Sequence, residues 1–241
     1  MKEALYDQIH EIEERHWWFR GRRAVIRALL GHAELGRSPR ILDAGCGTGR
    51  NLAEYANIGA AEGVEPSQTA VDFCRARGYA VQMAPLEKLP FDEGAFHLAC
   101  ASDVLEHIAD DGAALRELRR VVRPGGAFLA TVPAYDWMWS HHDDSHHHVR
   151  RYTRSRLLAR VSENGWRPVF ATYFNSVLLP PIAAVRAVQR FRPAPQRTDY
   201  ELTPAPLNAL LEMPMRAEAR LIAGGRRLPA GLSVGLICRA E

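Results

Sequence analysis

The stretch ILDAGCGTG, from Ile41 to Gly49, constrains the fold more than any other part of the chain. It has the pattern of a short apolar strand, a glycine-rich turn and the start of a helix. Glycine at such a turn permits backbone angles that other residues avoid, and it lets a ligand approach the main chain. The free N–H groups of the following helix can bind an anion. The motif therefore predicts a strand–turn–helix unit with a ligand at the carboxyl end of the strand.

Short apolar runs alternate with amphipathic helices along most of the chain, which is typical of a parallel sheet flanked by helices. The predicted strands lie near residues 40–44, 61–65, 80–83, 98–102, 127–132, 166–173 and 232–239. The predicted helices of the core lie near residues 49–57, 68–78, 112–122 and 153–164. The turn Pro124-Gly125-Gly126 is predicted to stop the third of these helices. The fold class is therefore α/β.

The length of 241 residues and the apolar fraction of 47% suit one large α/β domain. Within it we predict a helical cap (1–36), a core (40–173), an insertion (174–230) and a closing strand (231–241). The insertion is rich in proline and carries two amphipathic stretches, near 176–189 and 207–223.

Charge and cysteine content exclude several classes of protein. The net charge is only +3 and the arginines are spread along the chain, whereas nucleic-acid binders usually concentrate them. The four cysteines are far apart and form no C-x-x-C pair, which disfavours a zinc ribbon or a disulfide framework and favours the cytoplasm. We expect no signal peptide, because the first residues lack an apolar core, and no transmembrane helix.

Two carboxylates at strand ends narrow the choice of ligand. A dinucleotide-binding loop expects G-x-G-x-x-G, but here the glycines are Gly45, Gly47 and Gly49. Asp43, just before the first of them, would repel a pyrophosphate and would suit an ammonium or sulfonium group. Glu65, at the end of the second strand, is placed to accept hydrogen bonds from ribose hydroxyls.

These motifs, followed by LPFDEGAFHLACASDVLEHI and LRRVVRPGGAFLATVP, resemble the class I S-adenosylmethionine (SAM)-dependent methyltransferases, in particular the ubiquinone and menaquinone biosynthesis type. The resemblance covers roughly residues 40–133, with all motifs in order. It implies a Rossmann-like, seven-stranded sheet with an antiparallel last strand. It also implies SAM as cofactor, S-adenosylhomocysteine as product, and methyl transfer to a small aromatic or lipid-like acceptor.

The resemblance assigns roles to residues near the strand ends. The methionine part of SAM would lie against the glycine loop, the ribose on Glu65, the adenine near residues 84–86, and the transferring methyl near Asp103. The residues implied to bind SAM are Asp43, Gly45, Cys46, Gly47, Gly49, Glu65, Pro66, Ala84, Pro85, Leu86, Ser102 and Asp103.

The segment WSHHDDSHHHVRRY, from Trp139 to Tyr152 and here called the histidine segment, follows the fifth predicted strand. It could be a solvated loop, a metal site with His142, Asp143 and His146 or His148 as ligands, or a general base. We predict the base, a His142–Asp143 pair, because oxygen methylation removes a proton from the acceptor. Similar bacterial enzymes carry W-S-x-H-D followed by H-x-R-R-Y. By that pattern His148 belongs to the site with them, no metal is required, and three histidines are expendable: His141, His146 and His147.

An aromatic stretch, HWWFRGRR, and the insertion complete the expected acceptor side. The stretch either packs on the sheet or forms a wall of the pocket, with Arg20 or Arg23 meeting an anionic group. The predicted acceptor-binding residues are Trp17, Trp18, Arg20, His107, Tyr135, Trp139, Arg150, Arg151 and Phe174. The insertion has an apolar stripe beside Arg186, Arg190 and Arg192, which is either a lid packed on the core or a site of peripheral membrane contact.

The sequence therefore predicts a SAM-dependent O-methyltransferase. Methylation of carbon or nitrogen, a non-catalytic SAM-binding protein and an NAD-binding oxidoreductase remain alternatives.

Overall fold

The computed structural model of the chain describes residues 3–189 and 204–241. Within them a seven-stranded sheet has the order β3-β2-β1-β4-β5-β7-β6. Strand β7 runs antiparallel to both of its neighbours, and the other neighbouring pairs are parallel. The strands are β1 (Arg40–Ala44), β2 (Ala60–Glu65), β3 (Val81–Met83), β4 (Phe96–Ser102), β5 (Val122–Pro133), β6 (Trp166–Phe174) and β7 (Ser233–Ala240). The Rossmann-like sheet with an antiparallel last strand is confirmed.

Helices cover both faces of this sheet. They are α1 (Glu3–Ile12), α2 (Trp17–Leu30), α3 (Arg50–Ala56), α4 (Gln68–Ala76), α5 (Asp111–Val121), α6 (His141–Ser145), α7 (Arg154–Ser162), α8 (Leu179–Gln189) and α9 (Ala205–Ala223). Two single 3₁₀ turns, Leu105–His107 and Asp136–Met138, follow β4 and β5. None of the helices in the described part of the chain has the length and apolar character needed to cross a membrane.

The core is divided between the two faces of the sheet. Side chains of successive strand residues point to opposite faces, so Ile41 and Leu42 of β1 belong to different buried clusters. Leu42 belongs to the cluster that includes Leu118 of α5, and Ile41 to the cluster that includes Leu29 of α2. The apolar runs that predicted the strands are therefore buried on both sides, as in other sheets covered by helices.

The N-terminal helical region divides into two helices at residues 13–16. His16 caps α2, because its Nδ1 accepts a hydrogen bond from the backbone of Trp18 at 3.3 Å. Helix α2 then packs against α9, where the backbone of Trp17 donates to the side chain of Asn208 at 2.8 Å. The last helix of the predicted insertion thus supports the first helices of the chain.

Two details differ from the sequence predictions. The turn around Gly125 does not separate helix from strand, because β4 pairs with β5 on both sides of it, through Val122 and again from Ala127. Helix α8 begins at Leu179 and not near residue 176, since Glu218 of α9 holds the backbone N–H groups of Ser176 and its neighbours. Arg190 and Arg192, which we placed beside the apolar stripe, lie outside the described residues.

Candidate active site

A cavity of about 870 Å³ opens at the carboxyl ends of the parallel strands. Its walls come from α1, α2, the glycine turn after β1, the ends of β2 and β4, the 3₁₀ turn after β4, and the histidine segment. Ligand sites in open α/β sheets lie at this edge. The cavity therefore has the position that the sequence predicted for the ligand.

The glycine turn is shaped by left-handed backbone at Gly45 (φ 75°) and Gly47 (φ 54°). A Cβ at Gly45 would lie 2.7 Å from the Val104 side chain, whereas one at Gly47 would meet nothing within 4 Å. Both residues line the cavity. The turn can therefore bring its main chain against a ligand, as the motif predicted.

Buried polar atoms without partners lie at the ends of β1 and β4. Asp43 is 1% exposed, and its Oδ2 has no hydrogen-bond partner among the described residues. The same is true of Oγ of Ser102, which lines the cavity. Burial raises the pKa of Asp43 to about 7, against the opposing charge of Arg22. Because buried polar groups are normally paired, the Ser102 hydroxyl at the cavity wall indicates a polar ligand, and the charge of a nearby ammonium group would favour the ionised form of Asp43.

Glu65 lies at the cavity wall, where the predicted ribose would bind, and α1 contacts it. The hydroxyl of Tyr6 donates to Oε1 at 3.0 Å and the backbone of Gly47 donates to Oε2 at 3.0 Å. Burial raises the pKa of Glu65. We did not predict a role for Tyr6, because one tyrosine in an amphipathic helix carries no sequence signal for a site.

Asp103 follows β4 in left-handed backbone (φ 56°) and accepts hydrogen bonds from Arg22 and, at 3.0 Å, from the hydroxyl of Thr131. The cavity arginine of α2 that meets it is therefore Arg22. Of the two arginines named from the sequence, Arg23 lines the cavity, whereas Arg20 does not and instead pairs with Glu212 of α9 at 2.9 Å. Arg20 and Arg22 are two positions apart, so they point to nearly opposite sides of the helix.

The histidine segment is folded around Asp143, which is completely buried. Its carboxylate accepts hydrogen bonds from Arg151, at 2.8 and 2.9 Å, and from Nδ1 of His148 at 2.8 Å. It also receives the backbone N–H of Ser140, which makes it part of the cap of α6. Burial acts to raise the pKa of Asp143, but the bonds from His148 and Arg151 hold it below its usual value. In the described structure the imidazole that Asp143 orients is thus that of His148, rather than that of His142 as predicted.

Four imidazoles gather at this end of the cavity, and we call them, with Glu106, the histidine cluster: His107, His142, His146 and His148. The ring of His142 stacks on that of His146 at 3.9 Å, and the rings of His107 and His148 meet edge to face at 4.6 Å. Burial lowers the pKa of His107 to about 3 and that of His142 well below its usual value, so both are neutral near pH 7. His146, which the sequence pattern marked as expendable, belongs to the cluster, whereas His141 and His147 are exposed.

Several predicted acceptor-binding residues point away from the cavity. Tyr135 stacks on Tyr173 at 5.3 Å, and the indole of Trp139 donates to Asp144 at 2.9 Å. Arg150 pairs with Asp111 at 2.8 Å, while its neighbour Arg151 lines the cavity, since consecutive residues of an extended chain point to opposite sides.

Phe174 is completely buried and stacks behind Trp18 at 6.2 Å. The predicted acceptor-binding residues that do line the cavity are Trp17, Trp18, His107 and Arg151.

Most residues predicted to bind SAM line the cavity. They are Gly45, Cys46, Gly47, Glu65, Pro66, Pro85, Leu86, Ser102 and Asp103. Gly49 instead begins α3, where a Cβ would lie 2.8 Å from the sulfur of Cys74, so its role is in packing. Ala84, which packs against the core, and the buried Asp43 are likewise not among the described residues that line the cavity.

Comparison with known proteins identifies the central part of the chain. Residues 42–130 match the model of a methyltransferase domain. A protein of Mycolicibacterium smegmatis named a probable SAM-dependent methyltransferase is 32% identical over 125 residues, which are 51% of this chain and 48% of that protein. A malonyl-[acyl-carrier protein] O-methyltransferase of Pseudescherichia vulneris is 33% identical over 159 residues, which are 59% of each chain. The chain thus spans about half the length of these curated relatives.

The fold has solved counterparts over its whole length. A SAM-dependent methyltransferase from Thermotoga maritima superposes with a TM-score of 0.61, covering 100% of both chains at 16% sequence identity. At that identity the likeness bears on the fold alone. Together with the matched domain, it confirms the class that the motifs indicated.

Proposed function

We propose that this chain, which carries a class I SAM-dependent methyltransferase domain, transfers the methyl group of SAM to a hydroxyl oxygen of a small-molecule acceptor. One observation carries the proposal: a single cavity extends from the glycine turn to the histidine cluster. Such a cavity can hold a donor and an acceptor side by side. Positioning two reactants in this way removes much of the barrier to methyl transfer.

The glycine-turn end has the chemistry to hold SAM. Asp43 offers a negative charge to the amino group of the methionine part, and Gly45 and Gly47 let that part approach the main chain. Glu65 offers two oxygens to the ribose hydroxyls, and Leu86 offers an apolar surface to the adenine. When bound, SAM supplies a methyl group on a positively charged sulfur, which an oxygen nucleophile can attack.

The opposite end suits an organic acceptor with a hydroxyl group. Trp17 and Trp18 form an aromatic wall, and Met138, Ile182 and Val185 add apolar surface. His107 and His142 provide neutral imidazoles that accept hydrogen bonds, and this supports an acceptor that loses a proton on methylation. Asp143 fixes the ring of His148, as the carboxylate does in other His–Asp pairs. This feature favours oxygen over carbon as the methyl acceptor.

Isothermal titration calorimetry with SAM tests the donor side. We expect one SAM per chain in the wild type and loss of binding in Glu65→Ala and Gly45→Val, because the first removes the ribose contact and the second closes the turn. Glu62→Ala is the matched control, since Glu62 lies on the same strand and pairs with Arg40 at the surface. No heat of binding from folded wild-type protein would contradict the proposed function.

A turnover assay tests the acceptor side. S-adenosylhomocysteine formation is measured with a panel of phenols, alcohols, amines and carbon acids. We expect turnover with a hydroxyl acceptor, and a fall of about 100-fold or more in His148→Ala, which removes the imidazole that Asp143 orients, with SAM affinity unchanged. His141→Ala, an exposed histidine of the same segment, should leave turnover unchanged. Methylation of only nitrogen or carbon would retain the methyltransferase and refute the choice of oxygen.

A further inference from the structure

The carboxylate of Glu106 is buried without hydrogen bonds inside the cavity wall. Glu106 is 0% exposed, and in the described part of the chain neither of its carboxylate oxygens has a hydrogen-bond partner. An unpaired buried carboxylate is among the costliest groups to keep in a protein. Such groups are normally paired with a positive charge or bound to a metal. Glu106 lines the same cavity as the histidine cluster.

Two imidazoles face this carboxylate. One ligand atom from each of Glu106, His107 and His148 lies within 4.8 Å of the other two. Main-chain contacts keep the three together: Glu106 and His107 are adjacent in one 3₁₀ turn, and the backbone of Val149 donates to the carbonyl of Glu106 at 2.8 Å. Ligands of one zinc ion are separated by about 3.3 Å, because each lies about 2.0–2.2 Å from the metal. Small side-chain rotations would therefore bring all three onto one ion.

The orientation of His148 is that of a metal ligand. Its Nδ1 donates to Asp143, so Nε2 is the nitrogen that remains available for a ligand. Metal-binding histidines almost always donate their second ring N–H to a carboxylate or carbonyl in this manner, which fixes the ring and strengthens the ligand. Asp143 itself is not available to a metal, since both of its oxygens already accept hydrogen bonds. Of the ligands considered from the sequence, His142, Asp143 and His146 or His148, only His148 belongs to the group of three residues that the structure brings together.

We propose that Glu106, His107 and His148 bind one divalent transition-metal cation, of which Zn²⁺ is the representative, at the acceptor end of the cavity. Two imidazoles and one carboxylate are a donor set for zinc, manganese, iron or cobalt, whereas Mg²⁺ prefers oxygen ligands. Three protein ligands leave at least one coordination position open, as in catalytic metal sites. All three residues line the cavity, so an acceptor in it could reach such a position.

The metal would act on the acceptor, and this consequence rests on the proposed function. A divalent cation that coordinates a hydroxyl oxygen stabilises the alkoxide or phenolate formed when the proton leaves. The site therefore selects acceptors whose hydroxyl can reach a metal, such as phenols with a second oxygen beside it.

Metal titration in the absence of SAM tests the site independently of turnover. Tag-free, chelator-treated protein is titrated with ZnCl₂ by calorimetry, and Co²⁺ absorption reports the coordination. We expect one equivalent bound by the wild type, at least 100-fold weaker binding in Glu106→Gln and His107→Ala, and about 10- to 100-fold weaker binding in Asp143→Asn. His141→Ala should bind as the wild type does. A separate SAM titration on the chelator-treated protein shows whether the donor site is intact.

Thermal unfolding separates a metal ligand from a structural residue. If Glu106 is a ligand, Glu106→Gln should melt at the same or a higher temperature than the metal-free wild type, because it replaces a buried carboxyl group that has no hydrogen-bond partner among the described residues, and should lose the stabilisation by Zn²⁺. A lower melting temperature of metal-free Glu106→Gln would assign Glu106 to the fold and overturn the proposal. Three other results would also overturn the proposal: no stoichiometric Zn²⁺ binding by the wild type, unchanged Zn²⁺ binding in both Glu106→Gln and His107→Ala, or Mg²⁺ binding as tight as that of Zn²⁺. SAM binding without metal binding would overturn this inference alone.

Discussion

Two buried carboxyl groups carry most of the functional argument at the scale of single residues. Asp43 and Glu106 are both almost inaccessible to solvent, and both keep oxygens without hydrogen bonds among the described residues. Neither arrangement stabilises the empty protein. Each is therefore best explained by a ligand that supplies positive charge, an ammonium group at Asp43 and a metal at Glu106.

Asp43 should make SAM binding depend on pH. Burial raises its pKa to about 7 in the free protein, and a bound ammonium group favours the ionised form. Below pH 7 the carboxyl group of Asp43 must lose a proton before SAM binds. We therefore expect the affinity for SAM to fall by about tenfold for each unit by which the pH is lowered below 7. Calorimetry between pH 5.5 and 8.5 measures this slope. Asp43→Asn should bind more weakly and without the slope.

The raised pKa of Asp43 also predicts how the stability of the SAM-free protein depends on pH. Stability should fall as the pH rises, whereas SAM affinity should increase. Because the folded pKa lies above the unfolded value of 3.8, the contribution of Asp43 to stability is fully present below about pH 4 and is lost as the pH rises through 7. Asp43→Asn should therefore gain stability relative to the wild type between pH 4 and 8. The exposed Asp72→Asn should show neither effect, and a parallel pH dependence of Asp43→Asn and wild type would refute this account.

Residue-scale prediction worked where a local backbone motif defines the site. The glycine turn and Glu65 could be predicted because strand, turn and helix place them without help from distant residues. Tyr6 and Arg22 could not, because their roles depend on how α1 and α2 rest on the sheet. His148 replaced His142 as the partner of Asp143 for a similar reason: His142 and Asp143 are adjacent in one short helix, so their side chains point in different directions.

At the scale of elements, the histidine segment is held by one buried ion pair. Arg151 binds both oxygens of Asp143 and also donates to the carbonyl of Ala134 at 3.0 Å. It thereby joins α6 to the end of β5. The composition of the segment is compatible with a solvated loop or a metal site. The Arg151–Asp143 ion pair explains why the segment has a fixed shape.

Arg151→Met should lower the free energy of unfolding by about 3–5 kcal/mol, because it leaves the Asp143 carboxylate buried without its main charge partner. Urea denaturation measures the change. Arg156→Met is the matched control, since Arg156 pairs with the exposed Asp136 and such pairs contribute at most about 1 kcal/mol. Equal effects of the two substitutions would mean that the segment is not organised by Asp143.

Helix α1 covers the donor end of the cavity through Tyr6, whose hydroxyl occupies an oxygen of Glu65. If SAM ribose hydroxyls take that oxygen, Tyr6 must release it first. Tyr6→Phe should therefore bind SAM about fivefold more tightly, which corresponds to about 1 kcal/mol for one net hydrogen bond. Tyr79→Phe, at a partly buried tyrosine between α4 and β3, is the control. Weaker binding in Tyr6→Phe would instead make Tyr6 part of the bound state.

Elements were predicted well where apolar runs are buried by the sheet, and less well at their edges. All seven strands could be predicted, because each needs a short apolar run to cross the core. The turn at Gly125 could not, since its place inside β5 depends on pairing with β4. The packing of α9 against α2 could not be predicted from the sequence either, because an apolar helix face does not indicate which element it packs against.

At the scale of the whole molecule, the cavity joins parts of the chain that are far apart in sequence. Helices α1 and α2 close one side, the strand ends form the floor, and the histidine segment closes the other side. Ligand binding should therefore connect these parts. We expect SAM to slow amide hydrogen exchange in α1 and in the glycine turn, while α7 keeps its rate.

Hydrogen exchange followed by mass spectrometry measures this pattern, with NAD as the control ligand. NAD should change nothing, because Asp43 and the glycine spacing oppose a pyrophosphate. If SAM slowed exchange equally over the whole chain, it would stabilise the protein in general. That result would contradict a specific closure of the donor end of the cavity by α1.

The contact between Trp17 and Asn208 has a consequence for how the protein is made. The two residues are 191 positions apart, yet the first holds the start of α2 against α9. At a synthesis rate of about 5–20 residues per second, α2 waits roughly 10–40 seconds for its partner to leave the ribosome. During that time the apolar face of α2 has no helix to cover it, so a nascent chain of this protein offers a binding site to chaperones until α9 emerges.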